Sequence, residues 1–290
     1  MRRVLLTLAL GVAAFAMEPL VDAAWLKAHL HDKDLVLVDA SSHKLYAREH
    51  IPGAVQSGIG KWREAHGKHA LVRSCDAVEK EMRRLGIDKS SKVVVYSHQS
   101  NAKDMLKPTY LLWAMELYGF KKTALLDGGL EAWKRAGGAV SRDLPAPREG
   151  DVTLSAASDL AVDLAGVKAA LGHVRLLDAR PATFYFGARK QPILARAGHI
   201  PGATSYFWKY SFRDDGTLKP VSTIREMVVK GLKLDPARPV ITYCTGGLET
   251  SMNFFVLHRL LGFEKARLYD ASMKEWANRN DTPMRKYEWE

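Results

Sequence analysis

Two short stretches decide the reading of this chain: Glu49-His50-Ile51-Pro52-Gly53-Ala54-Val55 and Gly198-His199-Ile200-Pro201-Gly202-Ala203-Thr204. They share His-Ile-Pro-Gly-Ala, and three further pairs lie around them. Leu35–Ser41 (LVLVDAS) recurs as Val174–Arg180 (VRLLDAR). Lys92–Ser97 (KVVVYS) recurs as Pro239–Cys244 (PVITYC). Leu125–Trp133 (LLDGGLEAW) recurs as Arg267–Trp276 (RLYDASMKEW). The four pairs keep one order and lie about 140–150 residues apart. Repetition at a fixed offset marks a duplicated structural unit. Ser141–Gly150 is polar, holds two prolines and a glycine, and lacks helical periodicity; it reads as the join. The expected organisation is a leader over 1–16, a first domain over 17–140, a linker over 141–152 and a second domain over 153–290.

Within each half, short apolar runs alternate with amphipathic stretches. Leu35–Val38 and Val174–Leu177 end in Asp and have the length of buried parallel strands. Val93–Tyr96 and Val240–Tyr243 are β-branched. Each of these is followed by a helical stretch, near Thr109–Leu117 and near Ser251–Leu261. Ser74 is placed to cap a helix over Cys75–Leu85, which Gly86 would stop. Alternation of this kind predicts an α/β fold, each domain a mostly parallel sheet flanked by helices. Chemistry in such sheets gathers at the carboxyl ends of strands, where Ser97 and Cys244 stand.

The chain has 290 residues, 47% hydrophobic and 26% charged, enough for two globular domains. Met1-Arg2-Arg3, the uncharged apolar run Val4–Ala16 and the small-x-small end Ala14-Phe15-Ala16 have the form of a secretory leader, with a mature start near Met17. A retained anchor or a buried first helix are the other readings of that run. The leader reading implies a periplasmic protein with no stable membrane association after cleavage. The net charge is +11. Its Lys and Arg residues are scattered rather than interleaved with aromatic residues in a strip, which argues against a nucleic-acid partner and for attraction of small anions. Of the two cysteines, Cys75 and Cys244 fall at unlike positions of the repeat, which argues against a bridge between them.

Tyr243-Cys244-Thr245-Gly246-Gly247-Leu248-Glu249-Thr250-Ser251 takes a cysteine off a buried strand, through two glycines and into a helix. Glycines let backbone N–H groups turn inward together. With a helix start they would favour a thiolate over a thiol, lower its pKa and make Cys244 a nucleophile.

These residues carry a resemblance. The doubled HIPGA, the DAS/DAR strand ends, the six-residue loop opened by Cys244 and the block Tyr269–Trp276 are together similar to the tandem-domain rhodanese sulfurtransferases, across essentially the whole mature chain. The resemblance implies a silent first domain, here with Ser97 in the place of Cys244. It implies a second domain whose cysteine carries sulfur as a persulfide, from a small anionic sulfane donor such as thiosulfate to a thiophilic acceptor: cyanide, a thiol or an acceptor protein. No metal or organic cofactor is implied. Cys244 resembles the sulfur carrier, and Thr245, Gly246, Gly247, Leu248, Glu249 and Thr250 the loop that cradles the persulfide. Arg180 resembles an arginine that holds substrate or organises the pocket, Asp178 a buried carboxylate at the strand end, and Ser272 a serine near the site. The internal pseudo-dimer is compatible with a monomer.

The pattern departs from the family in the block Tyr269–Trp276, where relatives often have Gly and Trp at the positions of Ala271 and Met273, and at three further places. Thiosulfate-preferring relatives often carry basic residues after the cysteine, where this chain has Thr245, Gly246 and Gly247. Glu249 brings an acid to an anion site, so either it turns to solvent or the donor is not a simple dianion. Mercaptopyruvate-preferring relatives have a second arginine where this chain has Phe184, with Arg189, Lys190 and Arg196 nearby; this weakens mercaptopyruvate as the donor. Cysteine phosphatases need an arginine near positions 250–251, which are Thr and Ser. A thiol-redox role needs a neighbouring resolving cysteine, and none is present. A non-catalytic sulfur-carrier or binding module of the periplasm is the reading of another class.

Overall fold

The computed structural model describes residues 17–290; the proposed leader, residues 1–16, lies outside them. The first domain runs β1 (Leu20–Val21), α1 (Ala23–His29), β2 (Leu35–Asp39), α2 (His43–Arg48), β3 (Val55–Gln56), β4 (Arg63–His66), β5 (His69–Val72), α3 (Cys75–Arg84), β6 (Lys92–Tyr96), α4 (Ala102–Leu117), β7 (Thr123–Leu126) and α5 (Gly129–Arg135). The second runs α6 (Leu164–Ala170), β8 (Arg175–Asp178), α7 (Ala182–Tyr185), β9 (Ala203–Ser205), α8 (Val221–Arg225), β10 (Val240–Tyr243), α9 (Leu248–Phe254), β11 (Ala266–Leu268) and α10 (Ser272–Trp276). Two sheets of parallel strands result, ordered β1-β7-β6-β2-β3 and β11-β10-β8-β9. In the second, Ala161 bridges Leu268 where β1 pairs in the first. The α/β expectation holds, and both sheets carry helices on their faces.

The repeated HIPGA is structural in both halves. His50 stacks on Tyr46 and His199 on Tyr185, and each Nδ1 pairs with that tyrosine's carbonyl at 2.9 Å. The backbone N–H groups of Ile51 and Ile200 donate to the hydroxyls of Tyr96 and Tyr243. The motif thus ties the segment entering β3 or β9 to the strand that precedes the loop of interest.

Two helices begin earlier than their sequences suggest. The one expected near Thr109 starts at Ala102, because Asn101 caps it through the Asp104 N–H, and Pro108 sits inside it. The one expected near Ser251 starts at Leu248 and widens into a π-helix over Phe255–Leu260. These helices, α4 and α9, pack against each other across the domain boundary; Thr109 and Ser251 share a hydroxyl hydrogen bond of 2.9 Å there. One apolar cluster runs through that contact from Val93 and Leu111 to Met252 and Leu268. Ser74 caps α3, as its sequence predicts. Between Arg142 and Gly150 the backbone forms no regular element, and Arg148 pairs with Asp88 on its way.

Candidate active site

Cys244 leaves the carboxyl end of β10 and is buried, with 1% of its surface exposed. Both cysteines are free thiols, and Cys75 donates to the Ser155 carbonyl at 3.1 Å. The N–H groups of Gly246 and Gly247 donate to Cys244 Sγ at 3.3 and 3.1 Å. Of these two glycines Gly247 takes a left-handed backbone, at φ +93°; a Cβ there would sit 2.0 Å from Asp270 Oδ1. Ser272 fixes the strand end, accepting the Cys244 N–H at 3.1 Å and donating to the Tyr269 carbonyl at 2.7 Å. Thr245 Oγ1 accepts from Gln191, and the Thr250 hydroxyl bonds Thr242 beneath the loop.

The cradle does not give a lowered thiol pKa, contrary to what the sequence suggests. Burial, followed by the nearby Glu249 carboxylate, pushes the Cys244 thiol up to about 12, against the N–H groups of Thr250, Gly246 and Gly247. Desolvation of a fully enclosed sulfur outweighs those dipoles.

Glu249 does not turn to solvent. Its Oε2 accepts the Thr245 N–H at 3.4 Å, and the side chain interacts with the Cys244 thiol. Burial raises its pKa, supported by Asp178 and opposed by the Thr245 N–H and Arg180.

Arg180 is held at the end of β8 through its Nε and Nη2 donors. Its Nε reaches both Asp178 oxygens at 2.9 and 3.1 Å, and its Nη2 reaches Asp178 at 2.6 Å and the Gly198 carbonyl at 2.8 Å. Asp178 also accepts the Arg180 backbone N–H. Near Phe184, Arg189 lies over its ring, Lys190 donates to the Leu194 carbonyl, and Arg196 is taken up by Thr282, Trp276 and Ala277. Lys190 and Arg196 therefore do not stand in for the missing second arginine.

The sequence reading missed the contribution of the first domain. The β4–β5 hairpin crosses onto the Cys244 loop. Arg63 Nη2 donates to the Gly246 carbonyl at 2.8 Å and to Asp270 Oδ1 at 3.1 Å, with its guanidinium 4.6 Å over the Tyr110 ring. Asp270 Oδ2 accepts the Val72 N–H and the Tyr110 hydroxyl, each at 2.7 Å. The Asp127/Asp270 match within the repeat was the one available signal, since a contact between residues nearly 200 positions apart leaves no local pattern.

Comparison with known proteins assigns the family. The rhodanese-like domain model matches twice, over residues 22–136 and 163–279. The chain belongs to the rhodanese family. A relative from Synechococcus elongatus, named a putative thiosulfate sulfurtransferase, is 28% identical over 92% of this chain and 85% of its own length. A Thermus thermophilus relative, named a sulfur carrier protein, is 29% identical over 93% of this chain and 98% of its own length. The solved structure of the anaerobic ergothioneine biosynthesis enzyme of Chlorobium limicola has the same fold, with a TM-score of 0.80 at 23% identity, covering 92% of this chain and 70% of that one. As a tandem rhodanese, the chain carries the fold twice and a cysteine at the loop position in the second copy alone.

Proposed function

We propose that this rhodanese-family sulfurtransferase moves sulfane sulfur from thiosulfate or a similar donor to a thiophilic acceptor, cyanide or a thiol, through a persulfide on Cys244. The observation that carries the reading is the convergence of the Gly246 and Gly247 N–H groups on Cys244 Sγ. Donors so arranged stabilise negative charge on or just beyond that sulfur. Attack by Cys244 on the sulfane sulfur breaks the donor's S–S bond, sulfite leaves with the electron pair, and the new terminal sulfur lies over the loop. Phe184, and the engagement of Lys190 and Arg196 elsewhere, favour thiosulfate over the alternative donor, 3-mercaptopyruvate. Glu249 supports a second reading, a sulfur carrier fed by a protein persulfide, because an acid beside the thiol opposes dianions.

The test is thiocyanate formation from thiosulfate and cyanide, with intact mass after donor alone. The proposal expects one added sulfur on Cys244 and turnover with thiosulfate above that with mercaptopyruvate. Sulfur loading from a protein persulfide, with none from either small donor, favours the carrier. For residues 1–16 we propose a leader that directs the chain to the periplasm, where it acts as a monomer. N-terminal sequencing of the exported protein should begin near Met17, and sedimentation should give one chain.

A further inference from the structure

Three consecutive carbonyls of the Cys244 loop each accept a hydrogen bond on the side away from the sulfur. The Met273 N–H donates to the Cys244 carbonyl at 3.0 Å, and the Lys274 N–H donates to the Thr245 carbonyl at 2.9 Å. Both donors lie in α10, in the same domain as the loop. The third carbonyl, that of Gly246, accepts from Arg63 Nη2 at 2.8 Å, and Arg63 opens β4 of the first domain. The described residues hold no cis peptide bond. In a planar trans peptide the C=O and the N–H of the next residue point in opposite directions. A donor on one carbonyl therefore sets where the following N–H points. Lys274, behind the Thr245–Gly246 peptide, turns the Gly246 N–H towards Cys244 Sγ at 3.3 Å. Arg63, behind the Gly246–Gly247 peptide, turns the Gly247 N–H to the same sulfur at 3.1 Å, the shorter of the two.

The guanidinium is itself fixed. Its Nη2 also donates to Asp270 Oδ1 at 3.1 Å and to the Ala70 carbonyl at 2.6 Å, and the group lies 4.6 Å over the Tyr110 ring. Asp270 is held in turn by the Val72 N–H and the Tyr110 hydroxyl. A Cβ on Gly247 would sit 2.8 Å from Arg63 Nη2, so the glycine is what lets the ion pair come up behind the peptide. We infer that Arg63 is a positioning residue for the Cys244 site: the first domain reaches across the boundary and aims one of the two N–H groups that hold the sulfur. The inference deepens the persulfide reading above and rests on it. The aim of the Gly246 donor comes from backbone groups of α10, which most side chains there would supply. The aim of the Gly247 donor depends on one side chain 183 residues away from the carbonyl it holds. A cation on that carbonyl also draws electron density through the peptide and makes its N–H a stronger donor to negative charge on sulfur.

Removing the guanidinium strands Asp270, so two full-length variants are compared with wild type: Arg63→Ala, and Arg63→Ala combined with Asp270→Asn, in which no carboxylate is left unpaired. Each is assayed at a temperature where its circular dichroism shows the folded state. The donor is thiosulfate, or a protein persulfide if only that loads the wild type. The saturating rate of sulfur loading should fall about a hundredfold in both variants, while the half-saturating donor concentration stays within about threefold. The arginine aims a donor at developing charge and does not bind the sulfur source. Glycine amides give a second readout that a loosened fold would not imitate. In protein labelled with 15N-glycine, the Gly247 amide proton should move upfield in both variants, while that of Gly246, still held through Thr245 by Lys274, keeps its place. Loading within about threefold of wild type in either variant overturns the inference. So does a raised half-saturation with the loading rate kept, and so do Gly246 and Gly247 amides that move together. Failure of the persulfide reading shows separately, as wild-type protein that gains no sulfur from any donor; the amide shifts then decide the role of Arg63 on their own.

Discussion

The loops after β6 and β10 start from one scaffold and end as different objects. In both, the residue after the strand-end Asp donates across the sheet at 2.8 Å, Ala40 to the Tyr96 carbonyl and Ala179 to that of Tyr243. In both, an antiparallel pairing of the opposite domain donates an N–H to the carboxylate beyond the next strand: Val72 to Asp270, and Leu218 to Asp127. The loops then diverge. After β10, two N–H groups meet on Cys244 Sγ. After β6, the Ser97 hydroxyl and both ring nitrogens of His98 are buried with no hydrogen-bond partner among the described residues, and Gln99, with its amide oriented to satisfy its neighbours, fills the space between Gly129 and Gly216. Charge balance diverges too. Arg180 neutralises Asp178, whereas Ser41 stands in the matching place of the first domain and His98 approaches Asp39 at 3.5 Å instead. The strand ends set where each loop begins, and the few residues that follow decide whether backbone donors converge on its first side chain.

Moving the thiol between the loops is the hardest test of that contrast. Cys244→Ser combined with Ser97→Cys should lower thiocyanate formation at least about a thousandfold, because the first loop aims no donors at its side chain. Activity retained in the double variant would mean that the strand end alone suffices. Next in size is the covering hairpin. Arg63→Ala strands the buried Asp270 carboxylate, which should cost about 3 kcal/mol and lower Tm by roughly 6–12 °C. Arg213→Ala, the exposed counterpart facing Asp127, should shift stability by under about 0.5 kcal/mol. Equal losses in the two variants would show that the two covers are equivalent. A smaller effect than that of Arg63→Ala concerns Asp127, whose pKa burial raises to about 6. Between its ordinary value and 6 the folded state binds more protons than the unfolded state, so stability falls as pH rises through that window. Asp127→Asn should therefore be more stable than wild type at pH 7.5 by on the order of 1–2 kcal/mol, with the gap closing towards pH 4.5 in thermal melts. A gap independent of pH would show that the carboxyl is charged in both states.

The duplication, the four core strands and the position of Cys244 were legible because strand-ending motifs are local and were written twice. The extent of α4 was not, since a proline at a helix boundary and a proline tolerated inside a helix look alike until the Asn101 cap is seen. The orientation of Glu249 was not, because the Thr245 N–H that draws it inward is a backbone group available in any sequence. The raised thiol pKa was hidden for a related reason: the glycines announce the dipoles, and nothing local announces how completely the other domain covers the sulfur. Arg180 was legible as the residue that follows the strand-end Asp178, but its use by Asp178 and Gly198 depends on a loop closing back from position 198.

The hairpin of the first domain also sets an order of events. Arg63 and Val72 lie 183 and 198 residues ahead of the groups they hold, Gly246 and Asp270. Domains form from the N-terminus as a chain is delivered. The socket for the Cys244 loop therefore exists before the loop is made, and the cysteine enters a prepared enclosure. The first half serves in this respect as a built-in assembly template for the second.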